Sequence, residues 1–423
     1  MRSELPGLLS SDFESTGEYS IGFFSIFMLG DSVQIKSRRS GEAREDTIIL
    51  EFNSGLSRRP ILRNAKKDEQ LIDCGASIRV RLKNKPHEDG GLLEQSKRWD
   101  NKNIETLCKR ICPSSDVDIK CGSGDNLKKV VQGGDWVSIN AEDLLRRVQR
   151  ERPMDEDIPK SDIEKFIKKT SENLRIIENE DGTIAGRACI AISDHFRIEG
   201  SHPPLTGVVT IGGLKSCPLS HIAGILKGRS KRISRDLAVP IVEKNALAEW
   251  ATQQANLVPN LYDNPKELAF CAQIIWMCSG HPGDLPVIRR KDTWLSYSDI
   301  PSVVENKDEV FLLNSFTFGV KEMKSTDIIL NDNVLVGRFS GHPGVLQTGS
   351  HRRRGHMWPF KEKGHHGYTM LSLIVKCLSN EWGSSKEETR KESLIRKDEE
   401  VRIVGHRNGS PIKERVSVIR RPS

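Results

Sequence analysis

Two glycines near the start of the chain frame a polar turn that runs directly into a short apolar segment. Residues 17–27 read Gly-Glu-Tyr-Ser-Ile-Gly-Phe-Phe-Ser-Ile-Phe, which predicts a loop followed by an apolar helix. Glycine permits positive φ and a close approach of the backbone to a ligand, and the first turn of a helix presents free N–H groups and the positive end of its dipole. The segment therefore predicts a helix with an anion site at its beginning.

An antiparallel sheet is predicted directly after this helix. Alternation of apolar and polar residues indicates strands at 33–37, 47–52 and 77–83. A polar turn at 41–46 separates the first two strands, as in a hairpin. One helix that covers an antiparallel meander is an α+β layer arrangement, so the predicted fold class is α+β.

The rest of the chain contains a second ordered block and two charged segments. The patterns predict strands at 116–120, 185–193, 207–211 and 310–315, and helices at 103–112, 219–227, 241–256, 268–278 and 368–378. Residues 146–169 are dense in charge and contain two prolines, so we interpret them as a linker or surface helix at a domain border. Residues 384–423 mix both charge signs with few apolar residues and are expected to form a flexible or extended tail.

These patterns divide the chain into four predicted segments. Residues 1–90 form the first α+β domain, and residues 91–170 are a linker with a short helix and strand. Residues 171–335 form a mixed α/β domain, and residues 336–423 are a poorly ordered basic and charged C-terminal region.

The composition limits the class of protein. A chain of 423 residues suits two or three domains, and 36% hydrophobic with 29% charged residues is typical of a globular protein. The sequence shows neither an apolar run long enough for a membrane helix nor the pattern of a signal peptide. Nine scattered cysteines argue against a disulfide framework and favour a cytoplasmic setting. The net charge of +7 is compatible with nucleic-acid binding without requiring it.

The run at 22–33, Gly-Phe-Phe-Ser-Ile-Phe-Met-Leu-Gly-Asp-Ser-Val, resembles the second glycine box and following strand of the GHKL (histidine kinase-like) ATPases. Within that group it is most similar to the heat-shock protein 90 family. The family pattern Gly-x-x-Gly-x-Gly-Phe is met by Gly17, Gly22 and Phe23, while Ser20 takes the place of the middle glycine. The resemblance implies a partial GHKL-type α/β sandwich, ATP with Mg²⁺ as ligands, and a chaperone-type function. Packing in the core is the other role expected for Phe23.

A second part of the resemblance lies at the predicted strand 77–83. In the family a Gly-Thr pair opens this strand and the threonine contacts adenine, whereas here Ala76 follows Gly75. Alanine has no hydrogen-bonding side chain, so Ser77 would have to replace that contact; an ordinary strand start is the alternative. The residues that the resemblance assigns to the nucleotide are Gly17, Ser20, Ile21, Gly22, Phe23, Ala76 and Ser77.

The resemblance also predicts what this chain lacks. Only sixteen residues precede Gly17, too few for the family's general-base glutamate, its magnesium-binding asparagine and its adenine-binding segment. Phosphoryl transfer depends on positioning and on charge stabilisation, so hydrolysis by this chain alone is expected to be impaired. No catalytic residue and no metal ligand are assigned. The expected protein is a truncated, chaperone-type ATP-binding protein whose missing segment a second chain would have to supply.

A non-enzymatic interaction protein is the alternative function. It would bind a client or partner protein, or nucleic acid, through the middle domain and the basic C-terminal region. Three further patterns leave other chemistry open: a Gly-Gly-Leu-Lys-Ser run at 212–216, three cysteines at 108, 112 and 121, and a His/Arg-rich stretch at 342–366. The first is similar to a phosphate loop without its full spacing, and the other two contain residue types that bind metals or phosphate.

Overall fold

A computed structural model of the chain describes residues 21–93, 103–124, 126–149, 160–192, 205–230, 238–314, 328–337, 358–359, 370–383 and 400–421. The chain divides into two compact units. Unit 1 comprises residues 1–111, 119–130 and 151–157, and unit 2 comprises residues 112–118, 131–150 and 158–423. Each unit is described by itself.

Unit 1 is built on a four-stranded antiparallel sheet in the order β3-β2-β1-β4. The strands are β1 (Ser32–Arg38), β2 (Ile48–Phe52), β3 (Ile61–Asn64) and β4 (Gly75–Arg81). The predicted strands and the hairpin between β1 and β2 are present, but the sheet is not a simple meander, because β4 pairs with β1 rather than with β3. The chain at 65–74 crosses the sheet instead: the Lys36 ammonium donates to the Glu69 carbonyl at 3.0 Å, and the Leu71 N–H donates to the Thr47 hydroxyl at 3.2 Å.

The apolar segment before β1 is a 3₁₀ helix, Ile21–Met28, which packs on one face of this sheet. Side chains alternate between the two faces of a sheet, and directly paired residues share a face. Val33, Phe52 and Val80 are paired in this way and lie under the helix. The same face continues away from the helix through Ile48, Leu62 and Ile78, which are exposed.

The remaining described part of unit 1 is a helix beside a two-stranded hairpin. Helix α1 (Ile104–Ile111) precedes β5 (Ile119–Ser123) and β6 (Asn126–Val131), and β5 pairs with β6. The predicted helix at 103–112 is confirmed, and the predicted strand at 116–120 lies three residues later in the chain than expected. The Cys108 sulfur in α1 lies 3.2 Å from the Cys121 sulfur in β5.

Unit 2 contains a six-stranded mixed sheet in the order β10-β9-β11-β8-β7, with β12 paired to β11. Its strands are β7 (Arg175–Glu178), β8 (Ile184–Ile190), β9 (Gly207–Ile211), β10 (Leu214–Leu219), β11 (Ile222–Ser230) and β12 (Ala238–Pro240). The helices are α2 (Ala141–Val148), α3 (Lys160–Ser171), α4 (Lys244–Ala255) and α5 (Pro265–Met277). Strands β9 and β11 are parallel and every other pairing is antiparallel.

A seven-stranded mixed sheet completes unit 2, in the order β14-β13-β17-β15-β19-β18-β16. Its strands are β13 (Ile288–Arg290), β14 (Thr293–Leu295), β15 (Glu309–Asn314), β16 (Ile328–Leu330), β17 (Val334–Gly337), β18 (Glu400–Arg407) and β19 (Ser410–Arg420). The helices in this part of the chain are α6 (Ile300–Val304) and α7 (Met370–Glu381).

The hydrophobic core lies in unit 2. One contiguous cluster runs from Trp136 to Ile419 of β19 and includes the buried rings of Trp136, Trp250 and Trp358. A second cluster, which includes Val404 and Val418, lies in the seven-stranded sheet. Among the described residues of unit 1, the buried hydrophobic side chains are Val33, Ile49, Phe52, Leu93, Cys121 and Val130. The fold class is α+β, as predicted.

Two sequence-based predictions in unit 2 are wrong. The predicted helix at 219–227 is mostly strand β11, which is buried on both faces and therefore shows no alternation. Gly224 in this strand has φ +114°, and a Cβ there would lie 2.3 Å from the Arg187 carbonyl oxygen. The predicted poorly ordered C-terminal region contains α7 and the β18–β19 hairpin, because the charged residues of that hairpin alternate with apolar ones that reach the core. The described part of the chain contains no helix long and apolar enough to cross a membrane.

Candidate functional site

The predicted nucleotide-binding residues fall in two groups, one at the 3₁₀ helix and one at the start of β4. Gly17 and Ser20 lie outside the described residues. Ile21 and Gly22 begin the 3₁₀ helix, and Phe23 follows them on its first turn. The structure thus places a helix beginning where the sequence predicts one, directly after the glycine-containing segment.

The Phe23 ring belongs to an aromatic cluster that fixes the helix on the sheet. Its centroid lies 5.7 Å from that of Phe52 and 5.9 Å from that of Phe27, and the Phe27 and Phe52 rings are 5.0 Å apart. The Phe23–Phe27 and Phe27–Phe52 contacts are edge-to-face, and such contacts stabilise a cluster beyond the burial of its rings. The structure therefore supports the packing role expected for Phe23.

The second group, Ala76 and Ser77, follows Gly75 at the exposed beginning of β4. Gly75 has φ +130°, a conformation that side-chain-bearing residues rarely adopt. Ala76 pairs with Ser37 and Ser77 pairs with Lys36. Because side chains alternate along a strand, Ala76 lies on the face that carries the aromatic cluster, whereas Ser77 lies on the opposite face.

The two groups lie toward opposite ends of the sheet. Phe52, which carries the aromatic contacts, pairs with Val33 near the start of β1, and Ala76 pairs with Ser37 near its end. Four residues along a strand correspond to about 13 Å. The structure therefore brings Phe23 and Ala76 to one face without bringing them into contact, and it separates Ser77 from both.

A junction that the sequence reasoning missed holds the helix against the sheet. A Cβ on Gly30 would lie 2.1 Å from the Arg81 carbonyl oxygen, so only glycine fits where the helix ends. The Lys83 N–H donates to the Leu29 carbonyl at 3.0 Å, and the Lys83 ammonium lies 3.0 Å from an Asp31 carboxylate oxygen. The sequence signal for this junction is the pair Gly30-Asp31 directly after the apolar run. The pair indicates a turn, but it does not indicate that the turn contacts a strand about fifty residues later in the chain.

The opposite face of the sheet carries a charged network. The Arg63 guanidinium donates to Glu51 at 2.7 Å and to both carboxylate oxygens of Glu69, and the Gln34 amide also donates to Glu51. Hydrogen bonds from Arg63 are the main cause of a Glu69 pKa lowered to about 2, and they also lower the pKa of Glu51. Carboxylates held ionised in this way are poor general bases at neutral pH. The network instead holds the chain at 65–74 across the sheet.

The other candidate sites that the sequence left open do not gain support. Gly212 and Gly213, both at positive φ, form the turn of the β9–β10 hairpin, so they do not lead from a strand into a helix as a phosphate loop does. Among the residues that the structure describes, no group of three or more metal-ligating side chains is present. The His/Arg-rich stretch lies outside the described residues except for 358–359.

A shallow cavity of about 480 Å³ is formed by residues of unit 2 alone. Its lining includes Trp294, Asp284 and Asp299. Asp299 accepts hydrogen bonds from the Ser296 hydroxyl and backbone N–H, and these bonds lower the pKa of its carboxyl group. The Asp299 carboxylate therefore stabilises the local turn at residues 296–299.

Comparison with known proteins gives one short likeness. The chain is 41% identical over 49 residues to the chaperone protein HtpG of Legionella pneumophila strains Lens, Paris and Philadelphia 1. The aligned segment is 12% of this chain, and it spans about 8% of the length of the curated relatives it matches. No family model matches the chain. A short segment is therefore similar to a heat-shock-90-type chaperone, and the likeness extends no further.

Proposed function

We propose that this chain is a chaperone-type protein related to HtpG, in which unit 1 binds ATP weakly and does not hydrolyse it efficiently by itself. The observation that carries the proposal is the 49-residue likeness to HtpG. A helix beginning that follows a glycine-containing segment and is fixed on an antiparallel sheet supports the phosphate-binding part. The network around Arg63 supports the impaired hydrolysis, because it leaves neither Glu51 nor Glu69 as a general base.

The backbone at Gly22 is the proposed phosphate contact, and Ala76 marks the adenine end on the same face. All nine cysteines are free thiols, which supports the cytoplasm as the compartment. Mg²⁺ would have to be held mainly by the phosphates and water, as it is in sites with few protein ligands.

Fluorescent ATP binding with and without Mg²⁺, combined with a phosphate-release assay, tests the proposal. The variant Gly22→Asp places a negative charge at the helix beginning and should weaken ATP binding by about tenfold or more. The control Gly41→Asp makes the same change in an exposed turn where no atom lies within 4 Å, and it should leave binding unchanged. ATP binding that is equal in both variants contradicts the assigned site, and efficient Mg²⁺-dependent turnover contradicts the impaired hydrolysis.

Binding of a protein partner is a second candidate function, favoured by one observation. Most of the exposed large hydrophobic side chains in the described residues belong to unit 1, including Met28, Leu62, Ile72 and Ile78. Exposed apolar surface on a small unit with few buried side chains is typical of an interaction site. Suppression of the aggregation of an unfolded protein, measured by light scattering without ATP, tests this candidate. Nucleic-acid binding is the competing outcome, which salt titration would reveal.

A further inference from the structure

Strand β4 leaves one edge of the unit 1 sheet open. It pairs with β1 along its whole length, from Gly75 opposite Arg38 to Arg81 opposite Ser32, and it is the last strand in the sheet order. The register contains no bulge, and the strand contains no proline or lysine. Proteins commonly use those devices to protect an edge strand from pairing with another chain. In the described residues, β4 therefore presents an unpaired row of backbone donors and acceptors, and its two arginines are the protective charges that it carries.

The side chains of β4 divide into a basic face and an apolar face. Arg79 and Arg81 lie on one face, and the guanidinium of neither forms an ion pair or hydrogen bond with another described residue. Ile78 is 57% exposed on the other face, which continues into the exposed Ile48 and Leu62 of the neighbouring strands. A strand that pairs with β4 would place its own side chains alternately beside arginines and beside aliphatic residues.

The positive charge of the two arginines on this edge favours an acidic partner strand over a second copy of β4. Two copies of β4 would bring four arginines onto one face, and like charges opposed in a sheet are destabilising. An acidic partner strand would instead pair with Arg79 and Arg81 while its apolar residues cover Ile78. Backbone hydrogen bonds would supply affinity and the alternating side chains specificity, as in other cases of strand addition.

We propose that β4 binds an extended polypeptide in which acidic and aliphatic residues alternate, and that this peptide adds as an antiparallel fifth strand to the unit 1 sheet. The proposal rests on the second candidate function and names its class of partner. It does not require nucleotide, so a failure to bind ATP leaves it intact.

Fluorescence anisotropy with labelled synthetic peptides on the full chain, without ATP, tests the proposal. The probe is a seven-residue alternating Glu/Val segment with polar flanks, which matches the seven residues of β4. Its comparisons are a scrambled peptide of the same composition, an alternating Lys/Val peptide, and an N-methylated version in which backbone N–H groups are blocked. Saturable binding of the alternating acidic peptide alone is expected. Equal binding of the scrambled or N-methylated peptide would overturn strand addition.

Charge reversal provides the matched variants. Arg79→Glu with Arg81→Glu should weaken binding of the acidic peptide by about tenfold or more and create binding of the Lys/Val peptide. Arg58→Glu with Arg59→Glu alters two exposed arginines of the same unit outside the strands, so acidic-peptide binding should change by less than about twofold. Equal losses in the two double variants would overturn the site. Full competition by a short single-stranded oligonucleotide would also overturn it, because the patch would then bind polyanions in general.

Discussion

The two units of this protein differ in how many hydrophobic side chains they bury. Unit 2 encloses one contiguous core that includes three buried tryptophans, whereas the described part of unit 1 buries few hydrophobic side chains and exposes many. Burial of apolar surface is the main favourable contribution to folding. Unit 1 therefore depends on specific junctions, such as the aromatic cluster and the Gly30 contact, and it is the unit that would gain most from a bound partner.

This contrast explains why the candidate functions lie in unit 1. Binding surfaces require exposed apolar groups and open backbone edges, which a filled core does not leave. Regions with few buried contacts also open at a lower free energy than the global unfolding reaction. A chaperone-type protein that changes shape on binding a ligand would place its movable part in such a region.

The largest expected effect is that of Trp250→Ala in unit 2. The Trp250 ring is buried, and its indole N–H donates to the Ala188 carbonyl at 3.0 Å. Its removal should lower the free energy of unfolding by about 3–5 kcal/mol. The matching change in unit 1, Phe52→Ala, should lower it by less, because the surrounding rings of Phe23 and Phe27 are half-exposed and can move into the space that Phe52 leaves. Hydrogen exchange of β11 and β1 amides measures each effect; equal losses would contradict the contrast between the units.

A disulfide between two native cysteines should reduce the difference in stability between the units. The Cys108 and Cys121 sulfurs are 3.2 Å apart, about 1 Å more than a disulfide bond. Oxidised glutathione should convert the two thiols to a disulfide and release two molecules of reduced glutathione. Closing a loop of this size should stabilise unit 1 by about 3 kcal/mol. Mass spectrometry of the linked peptides and hydrogen exchange check the result, and Cys112→Ser is the control that should retain the crosslink.

The junction at Gly30 should be sensitive to a single methyl group. Gly30→Ala would place a Cβ 2.1 Å from the Arg81 carbonyl oxygen, so the helix or β4 must shift. Overpacking of this kind should destabilise unit 1 by about 1–3 kcal/mol. Gly41→Ala, where nothing lies within 4 Å but φ is +91°, should have a smaller effect of about 1 kcal/mol. Thermal unfolding followed by hydrogen exchange of β4 compares them, and a larger effect at Gly41 would show that the junction is not tight.

Local patterns predicted the elements of unit 1 better than their arrangement. The alternation at 33–37 and 47–52 indicates strands because one face is buried under an apolar helix. The return of β4 to pair with β1 depends on the crossing of 65–74, which is held by contacts such as Lys36 to Glu69. Such long-range pairing leaves no local pattern. For this reason the separation of Ala76 from the aromatic cluster along the sheet could not be predicted.

In unit 2 the predictions failed where a strand lacks the usual alternation of apolar and polar residues or where many charged residues accompany that alternation. The first five residues of strand β11 are apolar and buried because the strand lies inside a mixed sheet, so this part of the sequence also fits a helix. The hairpin β18–β19 is rich in charge, but Arg420 pairs with Glu309 and Glu400, while Val404 and Val418 reach the core. Composition alone therefore predicted a tail where long-range ion pairs and a buried face produce strands.

The smallest expected effect concerns the charged network of unit 1. Hydrogen bonds from Arg63 lower the pKa of Glu69 to about 2, from an ordinary value of 4.5. An acid with a depressed pKa in the folded state contributes stability above its ordinary pKa, and this contribution is lost as the pH falls from about 4.5 toward 2. The variant Arg63→Gln should return the pKa of Glu69 toward its ordinary value, as NMR titration of the carboxyl carbon would show. The variant Arg39→Gln, which removes an exposed arginine of the neighbouring hairpin, should leave that titration unchanged. Because the pair is accessible to solvent, the loss of stability should be small; a wild-type Glu69 that titrates in the ordinary range would show that the network does not hold 65–74 across the sheet.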